Sequence, residues 1–191
     1  MILTQTTPPA AQPVTLAELK AHLRLAHGFA DEGAEDGILA LHLGNAVATI
    51  EAETAQALIA RAFRLETDGW DRHGQLVLPV GPVASIDQME IVSGDQTTSV
   101  TPADLSLSTA RTRQTLSGLG GLPLTPVPDG GRATLSFTAG YGPAGSDVPG
   151  PLRQAVLLLA AQFYENRAGE EATALPGFVS ALLQPYRPVR L

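Results

Sequence analysis

Cysteine is absent from the 191-residue chain, which excludes disulfides and thiolate metal sites and leaves the redox compartment open. Lysine is nearly absent as well. Lys20 is the only one, and 12 basic against 19 acidic residues leave a formal net charge of −7. Gripping nucleic acid by its phosphates takes clustered Lys and Arg, so DNA that meets this chain is expected to pass without specific binding. Aromatic residues make up only 5%, with Trp70 the single tryptophan, and the 44% apolar content is mostly Ala, Leu and Val. Small side chains pack closely but bury little area each, so stability is expected to lean partly on neighbours. No run approaches the roughly 20 apolar residues that span a bilayer. The opening Met1-Ile-Leu-Thr-Gln-Thr-Thr7 lacks the basic region and apolar core of a signal peptide, so neither membrane nor export is expected.

What is present is a change of period along the chain. Residues 1–14, with Pro8, Pro9 and Pro13, read as an extended arm, either disordered or ordered on a neighbour. Thr15 and Glu18 then have capping-box spacing, and Val14 is placed to staple onto Leu19. The helix they start turns Leu16, Leu19 and Leu23 inward and is expected to end at Gly28 as a left-handed cap. Acidic residues from Asp31 to Asp36 lack the spacing of a calcium loop and suit the N-terminus of a second helix, expected over 36–58 with Leu39, Leu43, Ala46 and Ile50 inward.

From Arg61 the pattern alternates. Phe63, Leu65 and Thr67 mark one strand, and residues 75–78 a second. Met89 and Ile91 run into a Ser93-Gly94-Asp95 hairpin turn with Val100 on the return. Leu105 and Leu107 are paired with residues 111–116, and residues 118–131 form a Gly/Pro loop. The clearest strand is 132–139, with Ala133, Leu135, Phe137 and Ala139 on one side. A long third helix follows, in which Leu152, Val156, Leu159 and Phe163 recur at helical spacing and Leu158 and Tyr164 widen the apolar surface. A helix apolar on most of its circumference belongs inside a protein or an assembly, which makes Leu152, Val156, Leu159, Phe163 and Tyr164 the candidate core and assembly residues. Gly169 supplies its stop, a short helix spans 175–186, and Pro185 and Pro188 stiffen the tail.

The fold class read from this order is α+β: a helical core of about four helices, with a small antiparallel β insertion between the second and third. The units are an arm at 1–14, core at 15–60, insertion at 61–140, core again at 147–186 and a tail at 187–191. No catalytic pattern is visible. His22, His27, His42 and His73 lack metal-ligand spacing, and the Gly118-x-Gly120-Gly121 stretch has no Lys-Ser/Thr and leads into Pro123. Ser146 sits in no nucleophile motif, and Glu51 and Glu53, two apart, lie on different helix faces. No enzyme activity and no cofactor are expected.

Several runs, taken in order, resemble the head–tail connector (adaptor) proteins of long-tailed phages and gene transfer agents. They are Thr15-Leu-Ala-Glu-Leu-Lys-Ala-His-Leu-Arg24, Arg64-Leu65, Asp68-Gly69-Trp70, Phe137-Thr-Ala-Gly-Tyr-Gly142, Val148-Pro149, Leu152-Arg-Gln-Ala155 and Tyr164-Glu-Asn-Arg167. The resemblance implies a ring, generally of twelve copies, between the portal and a stopper or tail protein, around a channel for DNA. It implies a location in the particle neck after assembly in the bacterial cytoplasm. It also implies a C-terminal segment that reaches the portal, which points to Tyr186, Arg187, Arg190 and Leu191. Thr54-Ala-Gln-Ala-Leu58 departs from the family, where a Thr-Gly-Arg-like turn is usual, and this bears on where the second helix ends. Competing readings are a stopper or tail-completion protein, and a small-ligand-binding module with an apolar pocket between the β unit and the helices.

Overall fold

The computed structural model describes residues 1–25, 35–110, 113–166 and 175–188. Four α-helices lie among them: α1 (Leu16–His22), α2 (Asp36–Thr54), α3 (Gly150–Glu165) and α4 (Gly177–Leu183). Eight strands complete the order: β1 (Ile2–Gln5), β2 (Arg61–Thr67), β3 (Leu76–Val77), β4 (Val83–Ser93), β5 (Gln96–Val100), β6 (Leu105–Leu107), β7 (Thr115–Gly118) and β8 (Arg132–Ala139).

Period-2 patterning becomes a five-stranded antiparallel sheet in the order β1-β2-β8-β4-β5, and β3-β7-β6 form a second sheet. Phe63 lies opposite Phe137 and Leu65 opposite Leu135, so the inward faces of β2 and β8 coincide. The two phenylalanine rings stack at 5.7 Å between centroids. Leu76 and Leu116 of the second sheet join the same apolar cluster, so the β unit has a core of its own. The expected hairpin closes with Ser93 opposite Gln96 and Met89 opposite Val100. Gly94 at φ 57° sits at the first central turn position, where a two-residue hairpin needs positive φ.

The β unit is larger than the small insertion expected, and the N-terminal arm is part of it. β1 pairs along the edge of the chain's own sheet, with Leu3 opposite Leu65, so these residues are ordered without any neighbour. The strand expected to begin at Arg111 is β7, displaced to Thr115–Gly118, and it does pair with β6.

The helices form a second, separate cluster, with α2 packed on α3, and α1 and α4 against the pair. The capping box of α1 is present: the Glu18 N–H donates to Thr15 Oγ1 at 3.2 Å and the Thr15 N–H donates to Glu18 Oε2 at 2.7 Å. Val14 and Leu19 are both buried, as the staple requires.

Both N-terminal helices stop earlier than expected, for one physical reason. α1 ends at His22 because Arg24 takes a left-handed conformation (φ 53°). Its N–H then donates to the Ala21 carbonyl and that of Leu25 to the Lys20 carbonyl, the two bonds of a Schellman end. α2 ends at Thr54 rather than 58 because Ala55, also at φ 53°, turns the chain, and the Gln56 N–H reaches back to the Glu51 carbonyl. Neither stop uses glycine. Gly28 and Gly169, the glycines expected to end α1 and α3, lie outside the described residues, as does His27.

Candidate functional site

The two cores meet at residues 55–60, directly after the left-handed turn. Ala57 belongs to the β cluster, while Leu58 and Ile59 belong to the helical one. Backbone bonds fix this crossover. The Ala57 N–H donates to the Gly81 carbonyl at 2.7 Å, the Ala60 N–H to that of Gly142 at 2.8 Å and the Gly140 N–H to that of Pro82 at 2.8 Å. Gly140 is required here. At φ 135°, a Cβ on it would lie 2.4 Å from Ala60 backbone atoms. The Phe137-Thr-Ala-Gly-Tyr-Gly142 run is therefore a strand end that lays its turn against the crossover.

Charge closes the same joint. Arg61, opening β2, donates from Nη1 and Nη2 to the Glu51 carboxylate of α2 at 2.9 and 2.7 Å. Its Nε donates to Gln5 of β1 at 2.8 Å, and its guanidinium lies 5.1 Å from the Phe63 ring centroid. Glu51 also accepts the Leu58 N–H at 2.8 Å. The side chains are 9% and 18% exposed, so the pair is shielded, bidentate and bonded on its remaining valences. Arg153 of α3 ties the start of α1 to α3, donating to the Pro13 carbonyl at 2.9 Å and to Glu18 at 2.6 Å. The Glu18 carboxyl is held below its ordinary pKa chiefly by the Thr15 N–H, then by the Thr15 hydroxyl, with Arg153 adding to it.

Gln56 is buried and takes a third path across the joint. Its amide oxygen accepts from the Tyr141 hydroxyl at 2.5 Å, and its amide nitrogen donates to the Tyr186 carbonyl at 3.2 Å. Arg187 donates to Glu53 at 2.7 Å and to the Ser180 hydroxyl at 3.0 Å. Of the expected contact residues, Tyr186 is tied through its backbone carbonyl to Gln56, just after α2, and Arg187 through its side chain to Glu53 of α2. Arg190 and Leu191 lie outside the described residues. No sequence signal at 56 or 53 pointed to these bonds, because their partners lie 85 to 134 residues away.

Of the candidate assembly residues, Leu152, Val156 and Leu159 are interior to the chain's own helical core. Phe163 and Tyr164 are half-buried against His42, each 6.4 Å from it between ring centroids, and the Tyr164 hydroxyl bonds Glu35 at 2.6 Å. The surplus apolar surface lies elsewhere, at Ile38 and Leu41 of α2, Phe178 of α4, the N-terminal Met1, Ile2 and Leu3, Val92 of β4, and the loop residues Leu119 and Leu122.

An open cleft of about 500 Å³ lies beside the joint, lined mainly by Pro82, Val83, Gly140, Pro149 and Pro185 with Gln56 and Tyr141. Gln56 and Tyr141 bond each other, and Tyr186 is the further polar side chain in the lining. Among the described residues no group of three or more His, Asp and Glu has metal-binding geometry. Asp71 has a carboxyl held below its ordinary pKa, with the Gln75 N–H as the main cause and that of His73 next. It organises its own turn beside Trp70, whose indole N–H donates to the Thr125 carbonyl at 2.8 Å. Among the described residues no helix is long and apolar enough to cross a membrane.

No protein-family model and no curated protein matches the chain. Solved structures do. A chain in the neck of an empty GTA particle computed with C6 symmetry is 41% identical with a TM-score of 0.85, the match covering 100% of this chain and 97% of that one. A chain in the virion of a native gene transfer agent (GTA) particle is also 41% identical, with a TM-score of 0.84 and the same coverage. One in the neck of a native GTA particle computed with C12 symmetry is 37% identical, with a TM-score of 0.79, again over 100% and 97%. Identity at this level over the full length, on a fold with the same two-core plan, is family membership: the chain belongs to the head–tail connector family of long-tailed phages and gene transfer agents and is a structural protein of the particle neck.

Proposed function

We propose that the chain is the adaptor of the neck, a non-enzymatic subunit whose copies, twelve in number, form a ring between the portal and the stopper or tail protein. The full-length match to neck chains at 41% identity carries this reading. The ring surrounds the channel through which DNA leaves, and the net charge of −7 favours a lumen that does not hold the polymer. Assembly takes place in the bacterial cytoplasm.

The portal contact is assigned to the tail that follows α4. Gln56 and Glu53 fix its root at Tyr186 and Arg187, and Pro185 and Pro188 restrict the chain on either side. A restricted segment loses less entropy on docking. Arg187 is neutralised by Glu53, which leaves the Tyr186 side chain, Arg190 and Leu191 as the groups proposed to touch the portal.

Co-sedimentation of the purified chain with the portal tests this, using a version truncated after Pro188 that keeps the Arg187–Glu53 pair. Binding by the full chain and its loss on truncation is the expected result. Binding to the tail component and not to the portal would move the chain to the stopper or tail-completion role.

A further inference from the structure

From the neck-ring reading and the burial pattern of α2, we infer that the outward face of α2 is a lateral contact surface whose occupant is a second copy of this chain. One face of the helix, Leu39, Leu43, Ala46, Ile50 and Thr54, is buried in the helical core. The opposite stripe, Ile38, Leu41, Asn45, Ala48 and Ala52, recurs at offsets of three and four and is exposed throughout. Ile38 is 44% and Leu41 60% exposed. Between Asp36 and Glu51 the helix carries no Lys, Arg, Asp or Glu at all. The solvent face of a surface helix ordinarily carries charge, and this one does not.

Its small residues have a second consequence. A Cβ added at Gly37 or Gly44 would meet no atom within 4 Å, and Gly44 and Ala48 line a cleft beside Pro9 and Pro13 of the chain's own arm, so Ile38 and Leu41 carry most of the open apolar surface. Nothing charged would have to be desolvated when the stripe is covered.

A copy is the occupant because related necks were computed with C6 and C12 symmetry, which gives each chain a copy on either side. Such a ring closes by a heterologous contact, so the surface opposite α2 on the neighbour is a different one. Area sets the scale. The 19 residues of α2 extend about 28 Å, and a stripe about 10 Å wide is about 280 Å², roughly a third of the ~800 Å² that each partner buries in a stable interface. The stripe is therefore the apolar centre of the contact, and adjoining surface completes it.

Two variants and one labelling experiment test this. The chain has no cysteine, so Leu41→Cys provides a single thiol for maleimide labelling, and Thr98→Cys on exposed β5 serves as the reference for rate. In the purified ring, labelling at 41 is expected to slow at least about tenfold against the unassembled chain. Leu41→Asp is expected to keep the melting temperature of the monomer, since the side chain is exposed, and to lose the ring. Rapid labelling at 41 in an intact ring, or a ring formed by Leu41→Asp, overturns the inference. Position 41 labelling rapidly in a ring of this chain alone and becoming protected only when portal is added to that ring names a different occupant and overturns it too. A wild-type chain that forms no ring under any condition fails the neck-ring reading itself.

Discussion

The helical and β units differ in how their cores are assembled from the chain. The β unit is almost continuous in sequence, 61–139 plus β1, and its interior alternates residue by residue as the pleat dictates. The helical unit is split. Its first half precedes the β unit and its second half follows it, so α2 meets α3 about a hundred residues later. A split core needs its halves held at the point where the chain leaves and returns. That is where Gly140, Glu51–Arg61 and Gln56 are found, and their bonds run between the units rather than within them. The teaching is that a connector subunit carries two packed bodies whose relative placement is fixed by a short polar joint.

Breaking the joint should therefore cost more than any change on either outer face. The largest effect is expected from Gly140→Ala, whose Cβ would lie 2.4 Å from the Ala60 backbone at φ 135°. Steric conflict with backbone has no inexpensive relief, and a loss of more than about 4 kcal/mol, read as failure to recover folded protein or a collapsed melting temperature, is the outcome. Next comes Glu51→Ala, which leaves the Arg61 guanidinium shielded and unpaired and the Leu58 N–H without its acceptor. About 3 kcal/mol is expected, and calorimetry should separate one transition into two as the units uncouple.

Sharpening the joint works in the other direction. Ala55 holds a left-handed conformation that glycine adopts without steric cost, so Ala55→Gly is expected to stabilise the chain by up to about 1 kcal/mol in denaturant melts. The smallest effect lies at the exposed start of α1. Glu18 has a lowered folded pKa, so its contribution is present above the ordinary carboxylate value and is lost as pH falls through the lowered one. The stability gap between wild type and Glu18→Gln should stay within about 1 kcal/mol at pH 7, given its solvent exposure, and close on acidification through the carboxylate range in paired thermal melts.

How much of this was legible in the sequence follows from the range of each interaction. β8 was readable to the residue because the inward positions of a strand repeat every second residue, and Ala133, Leu135, Phe137 and Ala139 are all buried. The α1 start was readable because its capping box is local. Helix ends failed where Arg24 and Ala55 took a conformation that sequence rules assign to glycine, although the missing Gly at 55 was visible as a departure from the family turn. The apolar circumference of α3 correctly announced burial, but not whether neighbours in the chain or in a ring supply it. α1, α2 and α4 supply it, and within the helices the exposed large apolar side chains are on α2 and α4. Gln56 and Glu53 gave no signal because their partners, Tyr141, Tyr186 and Arg187, are distant in sequence.

The most direct test of the connector account is a cryo-electron microscopy reconstruction of the neck of particles that carry this chain. The account predicts a single twelvefold ring of it in contact with the portal, with the segment after Arg187 on the portal side. A layer of another protein between this ring and the portal, or a neck without the chain, would contradict it.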